Sequence, residues 1–416
     1  MCNTDQVPAR CPKILSGLKL LIVAPAESVH TARWSQLIAD QGWDVHLFPA
    51  FDSGRNHGQL ANVTVHHDVF APGQARAPEA RILGRAVPPI ASVALRKALR
   101  ALQPDRQATR LAALIDRLKP DILHAMELQG AGYLTLAARD RSPYFPRLVV
   151  SNWGSDIFHF GKQPEHRRRL VRLLAAADSY KCECERDVPL ARELGFDGHI
   201  WPVFPNSGGF DLAELGRMRE TPPSRRKVVM LKGYHGWAGR ALVGLAALAR
   251  CSAALQGYEV VVYSADDAVA ARAEALARSG AFSLRILKSP VRRLIGTDIP
   301  GASERDVLEG HAAARISIGL SITDGASTSF LEALALGSFP IQSGTACADE
   351  WIEDGRSGIL VAPENVEEIA NAVSRALADD ALVDQAAQRN WEIAHQRLDR
   401  AAIRRLTVDT YKGLVG

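Results

Sequence analysis

The sequence has few cysteines for its length, and they are widely spread. Its 416 residues include six, at positions 2, 11, 182, 184, 251 and 347. The spacing Cys182-x-Cys184 fits neither a redox pair nor a zinc-binding pair, and no second Cys or His pair lies nearby. We therefore expect free thiols, as in a cytosolic protein, rather than a disulfide framework or a structural zinc site.

Long hydrophobic runs are also missing. No stretch approaches the length of about 18 uncharged apolar residues that spans a bilayer. Residues 1–16 lack the apolar core of a secretory signal, so we expect a flexible tail there. The formal net charge of +4 gives no reason to expect a nucleic-acid partner. The length and the 47% hydrophobic content predict a globular protein with two domains of about 200 residues each.

Two glycine-rich phosphate-binding motifs are absent. A dinucleotide-binding domain needs Gly-x-Gly-x-x-Gly after its first strand, but residues 25–30 read Pro-Ala-Glu-Ser-Val-His. The glycines between Lys232 and Arg240 have the wrong spacing, and no Gly-Lys-Ser/Thr occurs. These absences argue against a nicotinamide-dependent oxidoreductase.

Short apolar runs instead alternate with helical patterns, which predicts an α/β protein with parallel sheets. In the first part we predict strands at 18–24, 42–48, 122–125, 148–151 and 198–203, with helices at 30–41, 91–102, 107–119 and 165–177. In the second part we predict strands at 227–231, 259–263, 283–287 and 316–320, with helices at 239–256, 266–279 and 303–313. The domains are thus expected at 17–204 and 227–390, joined by a Pro- and charge-rich linker at 205–226.

The most informative stretch is Asp-Gly-Ala-Ser-Thr-Ser-Phe-Leu-Glu at residues 324–332. Its small hydroxyl residues suit a helix start, Gly337 suits the helix end, and Phe339-Pro340-Ile341 suits a buried strand. A helix N-terminus can hold a phosphate. Asp324 and Glu332 are eight residues apart, roughly 12 Å along a helix, which is about the span from a sugar to a nucleoside ribose. The stretch therefore predicts a nucleotide-sugar site.

This stretch resembles the signature of retaining glycosyltransferases of family 4, which include bacterial-type sugar transferases. That signature is a Glu, seven residues and a second Glu, then Ala, Gly and a Pro-containing strand; here Asp324 replaces the first Glu. The resemblance continues through residues 350–355, 358–361 and 363–370. It implies the GT-B fold, in which two Rossmann-like domains face each other across a cleft. It also implies that residues 391–416 form a C-terminal helix, at about 391–413, that returns to the first domain.

The resemblance implies a role for each matching residue on the donor side. Asp324 would hold the sugar, and Glu332 the ribose. Lys232 and Arg240 would neutralise the leaving diphosphate, with further donor contacts from Gly233, Gly325, Ala326, Ser327 and Thr328. With these cationic groups, no metal or cofactor is expected. Asp266-Asp267 is interpreted as a helix cap, and His66-His67-Asp68 as a surface strand end.

The first domain is expected to bind the acceptor. The candidate residues follow three of its predicted strands: His30, Arg33, Trp34, Glu127 and Asp156. The segment that ends at Asp156 resembles a Gly-Ser-Asp loop of some family members. Asp156 or Glu127 could orient or deprotonate an acceptor hydroxyl. His124 is expected to be a buried strand histidine.

The sequence thus predicts a metal-independent glycosyltransferase of the hexosyltransferase type, active in polysaccharide biosynthesis. The donor would be a nucleotide-diphosphate sugar, with uridine the commonest base in such relatives, and configuration would be retained. The acceptor would be a glycan, a lipid-linked or a small molecule. A GT-B sugar-nucleotide epimerase and an inactive nucleotide-sugar-binding protein remain open alternatives. We expect a cytoplasmic protein, and basic residues near 87–102 leave peripheral contact with the inner face of the membrane open: Arg81, Arg85, Arg96, Lys97 and Arg100.

Overall fold

The computed structural model describes residues 17–287 and 303–415. The predicted flexible tail lies outside the described residues. The first of two β-sheets comprises β1 (Lys19–Ala24), β2 (Asp44–Pro49), β3 (Ala61–Phe70), β4 (Glu79–Ala86), β5 (Ile122–Met126), β6 (Arg147–Ser151), β7 (Ser179–Lys181) and β8 (His199–Ile200). Its order is β4-β3-β2-β1-β5-β6-β7-β8, and all neighbouring strands are parallel.

The second sheet comprises β9 (Val228–Lys232), β10 (Glu259–Tyr263), β11 (Ser283–Leu287), β12 (Ala314–Gly319), β13 (Phe339–Ser343) and β14 (Ile359–Val361). Its order is β11-β10-β9-β12-β13-β14, again with parallel pairing throughout. Both sheets reverse strand order beside their first strand, as doubly wound sheets do. The predicted fold of two Rossmann-like domains is confirmed.

Helices connect the strands. Those that precede the second sheet in the chain are α1 (Val29–Ile38), α2 (Pro89–Leu102), α3 (Arg106–Leu118), α4 (Tyr133–Arg139), α5 (Ser155–Phe158), α6 (Pro164–Ala176), α7 (Asp187–Glu193) and α8 (Leu212–Arg217). The remainder are α9 (Ala241–Arg250), α10 (Asp267–Arg278), α11 (Glu304–Ala313), α12 (Thr328–Ala335), α13 (Val366–Ala378), α14 (Asp380–Arg397) and α15 (Arg400–Val415). Within the described residues, each helix is too short or too polar to traverse a bilayer.

The central strands are apolar along most of their length because helices cover the sheet faces. Strand β1 is an example: Leu20 to Ala24 are all buried, and alternate residues belong to two separate core clusters. One large cluster holds the second sheet together with α9, α10 and α13. Because the cores fix the central strands, the carboxyl ends of these strands hold the polar loops that follow them in place.

The C-terminal segment returns to the first sheet, as predicted. On α15, the Tyr411 hydroxyl lies 3.0 Å from Trp34 Nε1 and 2.5 Å from His124 Nδ1, and Arg404 pairs with Asp40. The prediction of one helix over 391–413 is wrong in detail, because α14 ends at Arg397 and α15 begins at Arg400. Asp399 explains the break, since its carboxylate accepts a hydrogen bond from the Ala402 N–H and caps α15.

Several elements were not predicted. Strand β4 is half-exposed and rich in charge, and β7 has only three residues, so neither produces a clear apolar run. Strand β3 and helices α4 and α7 were also missed. The predicted linker contains α8, whose Leu212 and Leu215 are buried beside α12 and α14 residues.

The histidine pair at 66–67 does not form a surface strand end. His66 and His67 lie inside β3 and are 7% and 2% exposed. His66 Nε2 is 2.9 Å from His46 Nδ1, and His67 Nε2 is 3.0 Å from Asn56 Oδ1. The surface prediction was therefore wrong, because the neighbouring strand and turn supply buried polar partners.

Other local predictions are confirmed. Asp266 caps α10 by accepting a hydrogen bond from the Val269 N–H. Gly337 follows α12 with φ of +77°, a conformation that favours glycine. Strand β13 is buried at all five positions. His124 is fully buried, and burial lowers its pKa to about 3.

Candidate functional site

A cleft of about 640 Å³ lies where the carboxyl ends of the two sheets face each other. We name its walls by the sheets that carry them. The first-sheet side contributes residues that follow β1, β6, β7 and β8: His30, Arg33, Trp153, Asp156, Glu183 and Asn206. The second-sheet side contributes the last residues of β9 and β10, residues that follow β12, and the first residue of α11: Lys232, Tyr263, Asp324, Ser327, Glu332 and Glu304.

The loop after β12 brings the signature residues to Lys232. The Lys232 Nζ donates a hydrogen bond to Ser327 Oγ at 2.9 Å and lies 3.9 Å from Asp324 Oδ2. Helix α12 begins directly afterwards, at Thr328. The N–H groups of its first turn have no partners within the helix and provide partial positive charge beside the lysine. This corner therefore offers one ammonium group, backbone donors and one carboxylate to a ligand.

Glu332 lies on α12, about one turn deeper in the cleft. Its carboxylate is 3.2 Å from the Arg33 guanidinium of the first-sheet side, which also contacts Glu304 at 2.5 Å. Glu332 is 5% exposed. Burial raises the pKa of the Glu332 carboxyl to about 7, against the opposing effect of Arg33. The pair bridges the two sides of the cleft.

His30 stands at the start of α1, where the Ser28 hydroxyl caps the helix. Its ring meets the Trp153 ring edge-on at a centroid distance of 5.3 Å. Burial, together with the positive charges of Arg33 and Lys232, lowers the pKa of His30 to about 4. The imidazole is therefore neutral at pH 7, and among the described residues its buried Nδ1 has no hydrogen-bond partner.

Two predicted acceptor acids shape loops. Asp156 lines the cleft, but one of its oxygens already accepts hydrogen bonds from the Leu128 and Trp153 N–H groups, both at 2.8 Å. The Glu127 carboxylate accepts from the Gly130 N–H at 2.8 Å and also from the Ala131 N–H. Burial raises the pKa of Asp156 well above its usual range, and the nearby Glu127 adds to the effect.

Five predicted residues, Glu127 among them, lie outside the cleft lining. Trp34 is fully buried against Phe204 and Tyr411. Arg240 pairs with Glu364 at 2.7 Å and donates to carbonyls of its own turn. Gly233 packs against Ala265, and Gly325 against Gly154. The structure thus gathers Asp324, Lys232, Glu332, Ala326, Ser327, Thr328, His30, Arg33 and Asp156 in one cleft.

Several lining residues were missed by sequence reasoning, among them Glu183, Trp237, Tyr263 and Glu304. Glu183 follows β7, a strand too short to predict. Burial raises the pKa of Glu183 to about 7, and its carboxylate accepts a hydrogen bond from the Asn206 N–H. Trp237 is 54% exposed and lies 5.7 Å from the Phe160 ring across the cleft. The one feature of the sequence that could have predicted Trp237 as a cleft residue is its position between Lys232 and Arg240.

The two sides touch behind the cleft. Gly154 has φ of +41°, and a methyl group there would lie 2.4 Å from the Gly325 nitrogen. Arg186 donates hydrogen bonds to the carbonyls of Gly154 and Asp324, both at 3.2 Å, and to that of Thr345 at 3.3 Å. We call this contact region the seam. It holds the signature loop against the first-sheet side.

Two family models match the sequence. Residues 19–180 match the family described as glycosyl transferase 4-like, and residues 254–379 match glycosyl transferases group 1. The first covers β1 to β7, and the second covers most of the second sheet with the signature. No curated protein matches the sequence.

Solved structures share the fold at low sequence identity. Sucrose-phosphate synthase from Thermosynechococcus elongatus is 15% identical over 95% of this chain and 99% of its own, with a TM-score of 0.65. HepE from Anabaena in complex with UDP-glucose is 14% identical over 95% and 100%, with a TM-score of 0.61. A glycosyltransferase from Rickettsia africae is 13% identical over 96% and 99%, with a TM-score of 0.65.

Proposed function

Because this chain belongs to the glycosyl transferase 4-like and group 1 family, we propose that it transfers a hexose from a nucleoside-diphosphate sugar to an acceptor hydroxyl. The observation that carries the proposal is the single cleft shared by Lys232, Asp324 and Glu332. That cleft brings together a cation, a partly exposed carboxylate and a second carboxylate that is buried. UDP is the first donor nucleotide to test, since HepE of the same fold binds UDP and UDP-glucose.

In this proposal Lys232 and the first turn of α12 hold the diphosphate. The acceptor oxygen forms the new bond to the anomeric carbon as the bond from that carbon to the diphosphate breaks. The acceptor proton passes to the departing phosphate oxygen, and attack occurs on the same face, so configuration is retained. Negative charge grows on the diphosphate, and a preorganised ammonium group stabilises it without reorganisation.

Glu332 would bind the ribose hydroxyls through its carboxylate. In the structure that carboxylate contacts Arg33, so donor binding must share or displace this contact. Arg33 retains Glu304 as a second partner at 2.5 Å, which lowers the cost of releasing Glu332. Asp324 lines the cleft with a side chain that is 32% exposed, and it would contact the donor sugar there.

The acceptor would approach from the first-sheet side. His30 offers a neutral imidazole, and the Trp153 ring contacts it. Phe160 adds a second aromatic ring on this side, and Trp237 faces that ring from the second-sheet side. Aromatic rings with one apolar face and nearby polar groups suit sugars and other amphipathic acceptors. A glycan, a lipid-linked or a small-molecule acceptor is compatible with this surface.

Calorimetric titration of UDP and GDP, without metal, tests the donor site. Wild type should bind one nucleotide, and Glu332→Ala should lose about 1–3 kcal/mol of binding free energy because charge-assisted hydrogen bonds are removed. Glu364→Ala is the matched control, since Glu364 is an exposed carboxylate paired outside the cleft. An unchanged nucleotide affinity in Glu332→Ala would show that Glu332 does not contact the bound nucleotide.

Turnover must be tested separately from binding. Incubation with a UDP-sugar and candidate acceptors should release UDP and form a glycoside, and a chelator should leave the rate unchanged. Loss of activity with chelator and its restoration by manganese would contradict the metal-independent mechanism. Binding without UDP release would favour an inactive nucleotide-sugar-binding protein, and a changed sugar isomer would favour an epimerase.

We also propose peripheral contact with anionic membrane through α2. Ile90 and Leu102 on this helix are 74% and 79% exposed, and Lys97 and Arg100 between them are exposed cations. Exposed apolar and basic groups together suit an anionic bilayer surface. The protein should co-sediment with phosphatidylserine vesicles at low salt, and Lys97→Glu/Arg100→Glu should not. Absence of wild-type co-sedimentation would reject the contact.

A further inference from the structure

Two buried thiols meet at the seam, outside the cleft. Cys184 follows β7 of the first sheet, and Cys347 follows β13 of the second. They are 0% and 1% exposed, and neither forms a disulfide in the structure. The two sulfurs and a carboxylate oxygen of Glu350 lie within 4.8 Å of one another. The pair therefore joins two segments that are 163 positions apart in the sequence.

Neighbouring hydrogen bonds fix the two cysteine segments to each other. The N–H groups of Glu185 and Arg186, directly after Cys184, donate to the Glu350 carboxylate at 2.8 and 2.9 Å. The Arg186 guanidinium donates to the Thr345 carbonyl, two residues before Cys347. The thiols are thus held in register by contacts on both sides of the seam.

The surroundings favour a sulfur–sulfur bond over a bound metal ion. Both Glu350 carboxylate oxygens already accept backbone hydrogen bonds. The guanidinium groups of Arg186 and Arg397 interact electrostatically with Cys184 and would repel a divalent cation. Structural zinc usually has four protein ligands, whereas three candidate ligands lie together here among the described residues.

We propose that Cys184 and Cys347 form a reversible disulfide that ties the two sides of the cleft together. The oxidant is a low-molecular-weight disulfide, for which oxidised glutathione is the probe. One cysteine thiolate attacks it, forming a mixed disulfide and releasing one glutathione thiolate. The second cysteine thiolate attacks the mixed disulfide, forming the Cys184–Cys347 bond and releasing the second. The two cysteine protons end on the two glutathione thiols.

Burial determines when this exchange occurs. The contact with Cys347, together with burial, raises the pKa of the Cys184 thiol far above its usual range, so the thiol is unreactive while the seam is closed. Separation of the two sides would expose both thiols, and reclosure would bring them together. The disulfide would then hold the Gly154 and Asp324 loops in contact. If the proposed glycosyl transfer requires opening for donor exchange, oxidation slows turnover.

The experiment uses the full chain with Cys2→Ser and Cys11→Ser, so that the two cysteines outside the described residues cannot exchange. The folded protein is incubated with oxidised glutathione, alkylated and digested, and the peptides are identified by mass. A linked peptide pair containing Cys184 and Cys347 is expected, and dithiothreitol should separate it. Cys184→Ala and Cys347→Ala should both abolish the pair, while Cys251→Ala, a buried thiol on another element, should leave it.

Peptide mapping decides the proposal independently of catalysis. Persistent free Cys184 and Cys347 under oxidation would overturn it, as would stoichiometric zinc in the purified protein that both alanine variants lose. For the effect on function, oxidation should lower turnover about tenfold, since opening steps limit many enzymes, and dithiothreitol should restore it. A linked protein with unchanged turnover would overturn the effect on function and leave the proposed transfer intact.

Discussion

The two sides of the cleft use polar groups differently. On the second-sheet side, the Asp324 and Lys232 side chains are 32% and 24% exposed and point into one open corner. On the first-sheet side, Asp156 accepts hydrogen bonds from two backbone N–H groups, and His30 is partly buried and neutral. The second-sheet side therefore leaves charged side chains accessible to a ligand, whereas the first-sheet side uses the Asp156 carboxyl to hold the backbone of its loops.

The difference follows from how each side is built. The second-sheet side takes its key groups from one strand end and one short loop–helix segment, so rigid backbone sets their spacing. The first-sheet side is assembled from segments after four strands, and its acids must satisfy N–H groups of those loops. We infer that specificity for the charged donor lies on the second-sheet side. The first-sheet side offers shape and aromatic surface.

The largest expected effect tests the cation of the second-sheet side. Lys232→Ala should lower kcat about 10²–10³-fold, the usual loss when one preorganised donor to developing negative charge is removed. Arg240→Ala should change kcat only a few-fold, because that guanidinium pairs with Glu364. Steady-state kinetics with a UDP-sugar would measure both. The reverse ranking would show that Arg240 enters the site during turnover, as the sequence predicted.

The Asp324→Asn variant should distinguish a contact with the donor sugar from a contact with the nucleotide. If Asp324 faces the donor sugar, the amide variant should lower turnover about 10–100-fold, because a charge-assisted hydrogen bond is worth about 1.5–3 kcal/mol. The affinity for free UDP should be preserved. Calorimetry with UDP and kinetics with the UDP-sugar supply the two measurements. Equal losses for both ligands would place Asp324 at the nucleotide instead.

The second-sheet side was largely predictable, because its signature is contiguous. The start of α12, the end at Gly337 and the buried β13 all follow from short-range patterns of hydroxyl, glycine and apolar residues. The parallel pairing of the strands follows from the alternation of strands and helices. Lys232 was found because it ends a predicted strand.

The first-sheet side was predictable only in part, because its groups meet through tertiary structure. Glu183 reaches the cleft after a three-residue strand, and no local pattern announces that. Arg33 and Glu332 are 299 residues apart in the sequence, so no local sequence pattern could predict that they pair. Trp34 was assigned to the acceptor side because it follows the first predicted strand, although its ring packs in the core beneath α15.

The pH dependence of donor binding should report on Glu332. Its carboxyl pKa of about 7 means that the ionised fraction, which accepts hydrogen bonds from ribose, increases as pH rises through 7. UDP-glucose affinity should therefore increase about three- to tenfold from pH 6 to pH 8, because ionisation changes about tenfold per unit below the pKa. The diphosphate of UDP-glucose does not titrate in this range. Glu332→Gln should give a flat profile, and a wild-type slope that persists there would point to Glu183, whose pKa is also about 7.

The smallest effect on catalysis is expected for Asp156, on the first-sheet side. Asp156→Ala removes the acceptor of the Leu128 and Trp153 N–H groups, so it should destabilise the protein by about 1–3 kcal/mol. Asp156→Asn keeps one acceptor oxygen and should recover much of that loss. Because the carboxyl acts on loops rather than on the acceptor, kcat per folded molecule should change little in either variant. Urea unfolding measures the stability, and kinetics at saturating substrate measure kcat. A large fall in kcat for the folded Asp156→Asn variant would instead identify Asp156 as a catalytic base on the first-sheet side.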